Sequence, residues 1–503
     1  MIPRRKGPVI RGGKIFLVPF RNIPYDYAST REASGFTGRV RAGSAPAGPG
    51  FGAGVSPKRS AQGVDPQALL LFPRGGRSAV YMEDRVSDVE KSLYRLMVIL
   101  IAGTAIAGLA SPGPSEALRG FLALQWVPSR LIHDYSVTGG SGGALLNAAF
   151  MAALSLLLVR VNGVRLSGPT LAGVFTVMGF SLFGKTALNV LPVVAGVWMA
   201  ARAAGKNFKS YIMIALFGSA LGPLATALAL EVGLRGAGAV LAGVAGGVAA
   251  GFVLPSLAMA MLRLHEGYNL YNIGLTCGFF GLFAAALMAA AGGGLSISVI
   301  WNKHPGPAMT FLVPVLSVFL AAWGLALEGK GAIAGFRKLM KLTGRLPSDF
   351  LDMVSPGAAL LNMGVLGLIG CAYVAAVGGD FSGPVLGGLL TLIGFGAFGK
   401  HPRNSLPVMA GVFASTLLFG KPLTAPGPIL ALLFGTTLAP LAGEFGPLVG
   451  FVAGFLHLVL VERTGAFHMG LDLYNNGFAG GLTAGLVSAA MEWIRSNKQE
   501  RMK

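Results

Sequence analysis

Charge is scarce in this chain. Only 12% of its 503 residues are charged, against 53% hydrophobic, and mean hydropathy is +0.66. That balance excludes a soluble globular protein of this length. Cysteine is nearly absent: Cys277 and Cys371 each sit inside an apolar run. A disulfide framework is thereby excluded, and both read as small buried residues. The six histidines are scattered without an HExxH pair. Gly399-Lys400 lacks the upstream glycine and the following Ser/Thr of a phosphate-binding loop. Nothing in the sequence reads as an enzyme, a metal site or a cofactor site. Alternating apolar segments are missing too, which excludes a β-barrel.

What is present is a series of continuous apolar runs of membrane-spanning length, so the expected class is an all-α polytopic membrane protein. Its 76 glycines argue for closely approaching helices. Membrane lipid is the expected surrounding, an inner cell membrane the expected location, and a homo-oligomer a possible assembly.

The membrane part is written twice. GPTLAGVFTVMGFSLFGKTALNVLPVVAGV (168–197) returns as GPVLGGLLTLIGFGAFGKHPRNSLPVMAGV (383–412), with 17 of 30 positions identical. FGSALGPLA (217–225) returns as FGTTLAPLA (434–442), HEGYNLYNIG (265–274) as HMGLDLYNNG (468–477), and GALLN (143–147) as AALLN (358–362). Such duplication points to two similar halves around one axis, residues 82–300 and 301–495, followed by a basic tail at 496–503.

Residues 1–81 differ. They hold 13 Lys+Arg and 3 Asp+Glu, half of the chain's +20 net charge, in a Gly/Pro/Arg/Ser-rich setting without an apolar h-region. This reads as a disordered basic extension or a start site called too early, with Met82 as the alternative start. A basic arm can touch anionic lipid or nucleic acid, but no nucleic-acid partner is expected of the membrane part.

Apolar segments fall near 92–110, 143–160, 168–183, 187–203, 208–232, 236–262 and 268–291, and again near 305–327, 357–377, 383–398, 405–420, 428–442, 445–462 and 471–494. Amphipathic linkers lie at 113–135 and 330–352. The third and fourth segments are short and meet at an FGK turn, as two steep spans or a re-entrant hairpin. Either way each half crosses an odd number of times, giving inverted repeats with 10–14 crossings in all. With both termini cytoplasmic, inner loops carry eleven basic residues against six outside, as the positive-inside rule requires.

The duplicated polar positions are the candidate substrate pathway. Asn189 and Asn404 follow the FGK turn and precede Pro192 and Pro407, read as helix breaks; the carboxamides either line a pore or cap the next helix. Lys185 and Lys400 either attract an anion or, by preference, snorkel to water. Tyr271/Asn272 match Tyr474/Asn475, and Asn269 matches Asp472, at a wet vestibule or an interfacial cap. Asp472, like Glu266, can hold a coupling cation or proton, or be solvated in a loop. Pro223 and Pro440 mark further helix breaks, either at a binding site or at packing kinks.

The strings DYSVTGGSGGALLNA, GPTLAGVFTVMGFSLFGK and LRLHEGYNLYNIGLTCGF resemble an uncharacterised prokaryotic family of membrane proteins, known as a domain of unknown function, over residues 82–495. That resemblance implies no activity. HEGYNLYNIG and NVLPVVAGVW are also similar, at the level of architecture, to the halves of urea transporters, with the motif order permuted. That likeness implies only a channel-like fold of inverted halves. The expected function is a channel or secondary transporter for a small polar solute. The rival is a non-transporting membrane subunit that binds a partner or lipid, and a membrane enzyme comes third.

Overall fold

The structure is a computed structural model that describes residues 78–292 and 299–501. Residues 1–77, nearly all of the basic extension, lie outside the described residues. The first half runs α1 (Ser78–Leu109), α2 (Pro114–Leu124), α3 (Tyr135–Thr138), α4 (Gly140–Val161), α5 (Gly168–Phe180), α6 (Ala187–Ala203), α7 (Ile212–Gly218), α8 (Gly222–Leu230), α9 (Gly236–His265) and α10 (Asn272–Ala290). The second repeats that order as α11 (Pro307–Glu328), α12 (Lys330–Leu339), α13 (Phe350–Met353), α14 (Pro356–Ala376), α15 (Gly383–Phe395), α16 (Pro402–Leu418), α17 (Pro426–Gly435), α18 (Ala439–Phe445), α19 (Pro447–Phe467) and α20 (Asn475–Arg501). Each helix thus has its counterpart ten places later. No strand forms among the described residues; one isolated bridge joins His133 to Ile300.

Nine helical segments among the described residues are long and apolar enough to cross a membrane, and α5, α6 and α15 are shorter apolar helices. Together they make a polytopic membrane protein. The amphipathic linkers contain α2 and α12, each ending in a descent to a four-residue helix, α3 or α13.

Backbone hydrogen bonds between the halves come in matched pairs. Leu131 N–H donates to Gly470 O and Leu346 N–H to Gly267 O, both at 3.1 Å. Leu473 N–H donates to Ala220 O and Leu270 N–H to Thr437 O, both at 3.1 Å. Where residue i meets j′ and j meets i′, the contact is isologous and the operator is a two-fold axis.

Two helix pairs locate that axis. The start of α5 (Gly168) lies against Ala397, Gly179 against Gly387, and Leu182 against the start of α15 (Gly383). Hence α5 and α15 run antiparallel, and the axis crosses them at right angles. At the other pair, a Cβ on Gly274 would sit 2.8 Å from the Tyr474 ring and 3.0 Å from Gly477 Cα. A Cβ on Gly477 would sit 2.8 Å from Gly274 Cα. Only glycine lets α10 and α20 touch this closely near their N-termini.

Proline reads differently in the structure than in the sequence. Pro192 and Pro407 were expected to break helices, yet α6 and α16 run through them without interruption. The breaks lie upstream, in the turns at 181–186 and 396–401, and each proline packs its ring against a glycine of α9 (Gly247) or leans on α19 (Gly450). Pro223 and Pro440 do sit at breaks. A 3-10 turn, Ser219–Leu221 or Thr436–Leu438, precedes each, and proline takes an N-terminal position where its missing N–H costs little.

Candidate functional site

The FGK turns place both lysines in the protein interior. Lys185 and Lys400 are each 0% exposed. Snorkelling to water is therefore overturned: the ammonium groups find partners within the protein. Lys185 Nζ donates to Ser219 Oγ at 2.8 Å and Leu216 O at 3.3 Å. Lys400 Nζ donates to Thr436 Oγ1 at 2.8 Å and to the Tyr271 hydroxyl. Ser219 and Thr436 are counterparts in the duplicated FG[ST] strings, at the 3-10 breaks. Neither lysine forms an ion pair among the described residues.

Aromatic rings bridge the two lysines across the axis. Lys185 Nζ lies 5.1 Å from the Phe180 ring, Phe180 4.7 Å from Tyr474, and Tyr474 4.8 Å from Tyr271. Tyr271 lies 4.7 Å from Phe395, and Lys400 Nζ 5.1 Å from Phe395. Phe217 and Phe434 flank this row symmetrically, each 6.4 Å from one tyrosine. Cation–π contact partly replaces lost hydration.

Each turn is held by an asparagine from the preceding long helix. Asn147 Nδ2 donates to Ser181 O at 2.7 Å and Lys185 O at 2.8 Å. Asn362 Nδ2 donates to Gly396 O at 2.6 Å and Lys400 O at 2.7 Å. These donors satisfy carbonyls that a broken helix leaves exposed, which lipid cannot do. Sequence reasoning quoted the duplicated ALLN without giving its asparagine a role.

Asn189 and Asn404 take the capping alternative. Asn189 Oδ1 accepts from Thr186 N–H at 3.0 Å, and its Nδ2 donates to Gly184 O at 2.8 Å. Asn404 does the same with His401 N–H at 2.9 Å and Gly399 O at 2.9 Å. Both amide ends serve the local turn. The two asparagines do not meet; Tyr271 and Tyr474 are the pair that the axis brings together.

Asn272 and Asn475 close the other motif. Each Oδ1 lies 3.0 Å from a histidine Nε2, of His265 or His468. Each Nδ2 donates to a carbonyl of the preceding helix, Ala258 O or Val461 O. Asn269 and Asp472, both 0% exposed, hold the turns that lead into α10 and α20: their Oδ1 atoms accept from Tyr271 and Tyr474 N–H at 3.1 and 2.8 Å. Glu266, by contrast, is exposed and pairs with Arg345 at 3.4 Å.

A pair of carboxylates ties each half to the other. Asp134 Oδ2 accepts from Gly383 N–H, the first residue of α15, at 3.2 Å. Asp349 Oδ1 accepts from Gly168 N–H, the first residue of α5, at 3.1 Å. Each anion thus faces the positive end of a helix from the opposite half. Asp134 and Asp349 are counterparts, spaced in sequence as Asn147 and Asn362 are. Asp352 pairs with Arg165. A surface cleft of about 260 Å³ opens at that ion pair and shares no lining residue with the lysine row.

Burial, and then the neighbouring Asp352, push the Asp349 carboxyl up to about 6. The folded carboxyl keeps its proton to higher pH than the unfolded one, so its contribution to stability is present in acid and falls away between about pH 4 and 6. Asp349→Asn, whose amide oxygen still accepts from Gly168, is expected to flatten that part of the pH–Tm curve in detergent. An unchanged slope would remove Asp349 as its source.

Residues 113–290 and 329–493 match the model of a family described as a protein of unknown function, DUF1576. No curated protein and no solved structure matches the chain significantly, so the likeness to urea transporters is carried no further. With the match covering most of the sequence, the chain belongs to the DUF1576 family of proteins of unknown function.

Proposed function

We propose that this protein is a secondary transporter or channel for a small polar solute, and that the lysine–aromatic row is its central barrier and binding region. One observation carries the reading: two fully buried lysines, without ion-pair partners among the described residues, at the broken turns of two symmetry-related hairpins. A cation held at membrane depth is expensive, and where it occurs it marks a functional site by default. Two ammonium groups favour a solute bearing negative charge.

The two-fold axis supports an inverted arrangement. It reverses α5 into α15, so if these helices run across the bilayer the axis lies in the membrane plane. Counting α1, α4, α5, α6, the α7–α8 pair, α9 and α10 as crossings gives each half an odd number, and the basic loops then gather at one face. In this reading both termini are cytoplasmic, in an inner membrane. No catalytic role is assigned.

In sealed liposomes the purified protein is expected to pass at least one of urea, ammonium, amino acids or inorganic anions above empty vesicles. Lys185→Met and Lys400→Met are each expected to cut that flux at least tenfold. No flux for any of these solutes would overturn the proposal. The tight ring and glycine packing at the axis favours one second reading, a membrane subunit that binds a partner. Co-purification of a stoichiometric partner from native membranes, together with silent liposomes, would support it.

A further inference from the structure

The two ends of the lysine row differ in one place. At the Lys400 end, Asn269 Oδ1 accepts from the Thr437 hydroxyl as well as from Tyr271 N–H, and the Tyr271 hydroxyl is engaged by Lys400. At the Lys185 end, the counterpart of Asn269 is Asp472, and the counterpart of Thr437 is Ala220, which has no hydroxyl. Asp472 Oδ1 accepts from Tyr474 N–H, but Oδ2 is buried without a hydrogen-bond partner. A carboxylate fixed by one oxygen, with the other facing a dry interior, is an unstable arrangement for a full negative charge.

We infer that Asp472 Oδ2 is a proton-binding site, and that a proton taken up there accompanies the solute across the barrier. The inference rests on the transport reading for its role, not for the site itself. The chemistry is simple: an O–H bond forms on Oδ2 with a proton from water on one face and breaks by release to water on the other. Nothing is oxidised or reduced. The charged and titratable groups around Asp472 are Lys185 from the α5–α6 turn, Cys277 on α10, His468 before the loop, and Tyr474 just before α20. Lys185 acts on Asp472 through space, without direct contact. A protonated Asp472 leaves Lys185 free to attract an anion, while an ionised Asp472 competes with it. That competition couples proton to solute.

The test is infrared difference spectroscopy of the purified full chain, titrated from about pH 4 to 9, a range that brackets carboxyl, imidazole and thiol values. A carboxylic-acid carbonyl band should grow and fade with pH and vanish in Asp472→Asn. It should survive in Asp134→Asn and Asp349→Asn. Asparagine occupies the same turn in the first half as Asn269, so the variant has a folded precedent within the chain. Ala220→Thr restores the missing hydroxyl and should move the band's midpoint to lower pH, by stabilising the ionised form. A titrating band unaffected by Asp472→Asn, or no band at all, would overturn the inference. Silent liposomes with the band intact would instead count against the transport reading alone.

Discussion

Asn362→Leu is expected to cost about 2–5 kcal/mol of stability, because it strips the donor from two buried carbonyls at once. Gly396 O and Lys400 O both depend on Asn362 Nδ2, at 2.6 and 2.7 Å. Asn362 and Lys400 are both fully buried, and lipid offers no replacement donor. Leucine fills a similar volume, so the loss reports hydrogen bonding and not a cavity. Denaturant or thermal unfolding in detergent gives the measurement. Asn147→Leu should cost slightly more, since it also deprives Gln125 Nε2 of an acceptor at 3.2 Å. A change below about 0.5 kcal/mol in both variants, the scale of an ordinary surface substitution, would mean the turns hold themselves.

Gly411→Val is expected to prevent accumulation of folded protein. A Cβ at this position of α16 overlaps Phe451 O on α19, and one at its counterpart Gly196 on α6 overlaps Val248 O on α9. Backbone cannot yield as a side-chain tip can, so the helices must separate and lose the packing that holds them together in lipid. The expected penalty exceeds about 3 kcal/mol. Gly238→Ala, on α9 with nothing within 4 Å, is the control and should be neutral or slightly stabilising. Equal yields of Gly411→Val and Gly238→Ala in membrane preparations would contradict the packing argument.

Much of the fold was legible in the sequence because hydropathy and duplication are local signals. The spans, the amphipathic linkers and the duplication of their order could be read from runs and repeated strings, while the short helices α3 and α13 could not. The site was only partly legible. Lys185, Lys400, Tyr271, Tyr474 and Asp472 stood out as polar residues within repeats, but a string does not say how deep a turn lies, so burial of the lysines went unread. Phe180 and Phe395 sat unnoticed inside the longest repeat, since their value depends on α5 meeting α15 head to tail. Asp134 and Asp349 fall outside the duplicated strings, and a string does not say that each reaches the head of a helix in the other half. Pro192 and Pro407 misled because proline within a helix and proline at a break look alike in sequence.

The exchange of carboxylates between halves bears on how this protein is made. Gly168, at the head of α5, is synthesised 181 residues before Asp349, and Asp134 waits 249 residues for Gly383. The first half therefore enters the membrane with its central hairpin lacking one anion and holding another in reserve. Its α5 lacks its partner α15, and Gly274 has no surface to close on until Gly477 is made. Closure of the two halves on each other therefore has to follow synthesis of the second. A nascent chain stalled after residue 300 should be correspondingly vulnerable to membrane proteases.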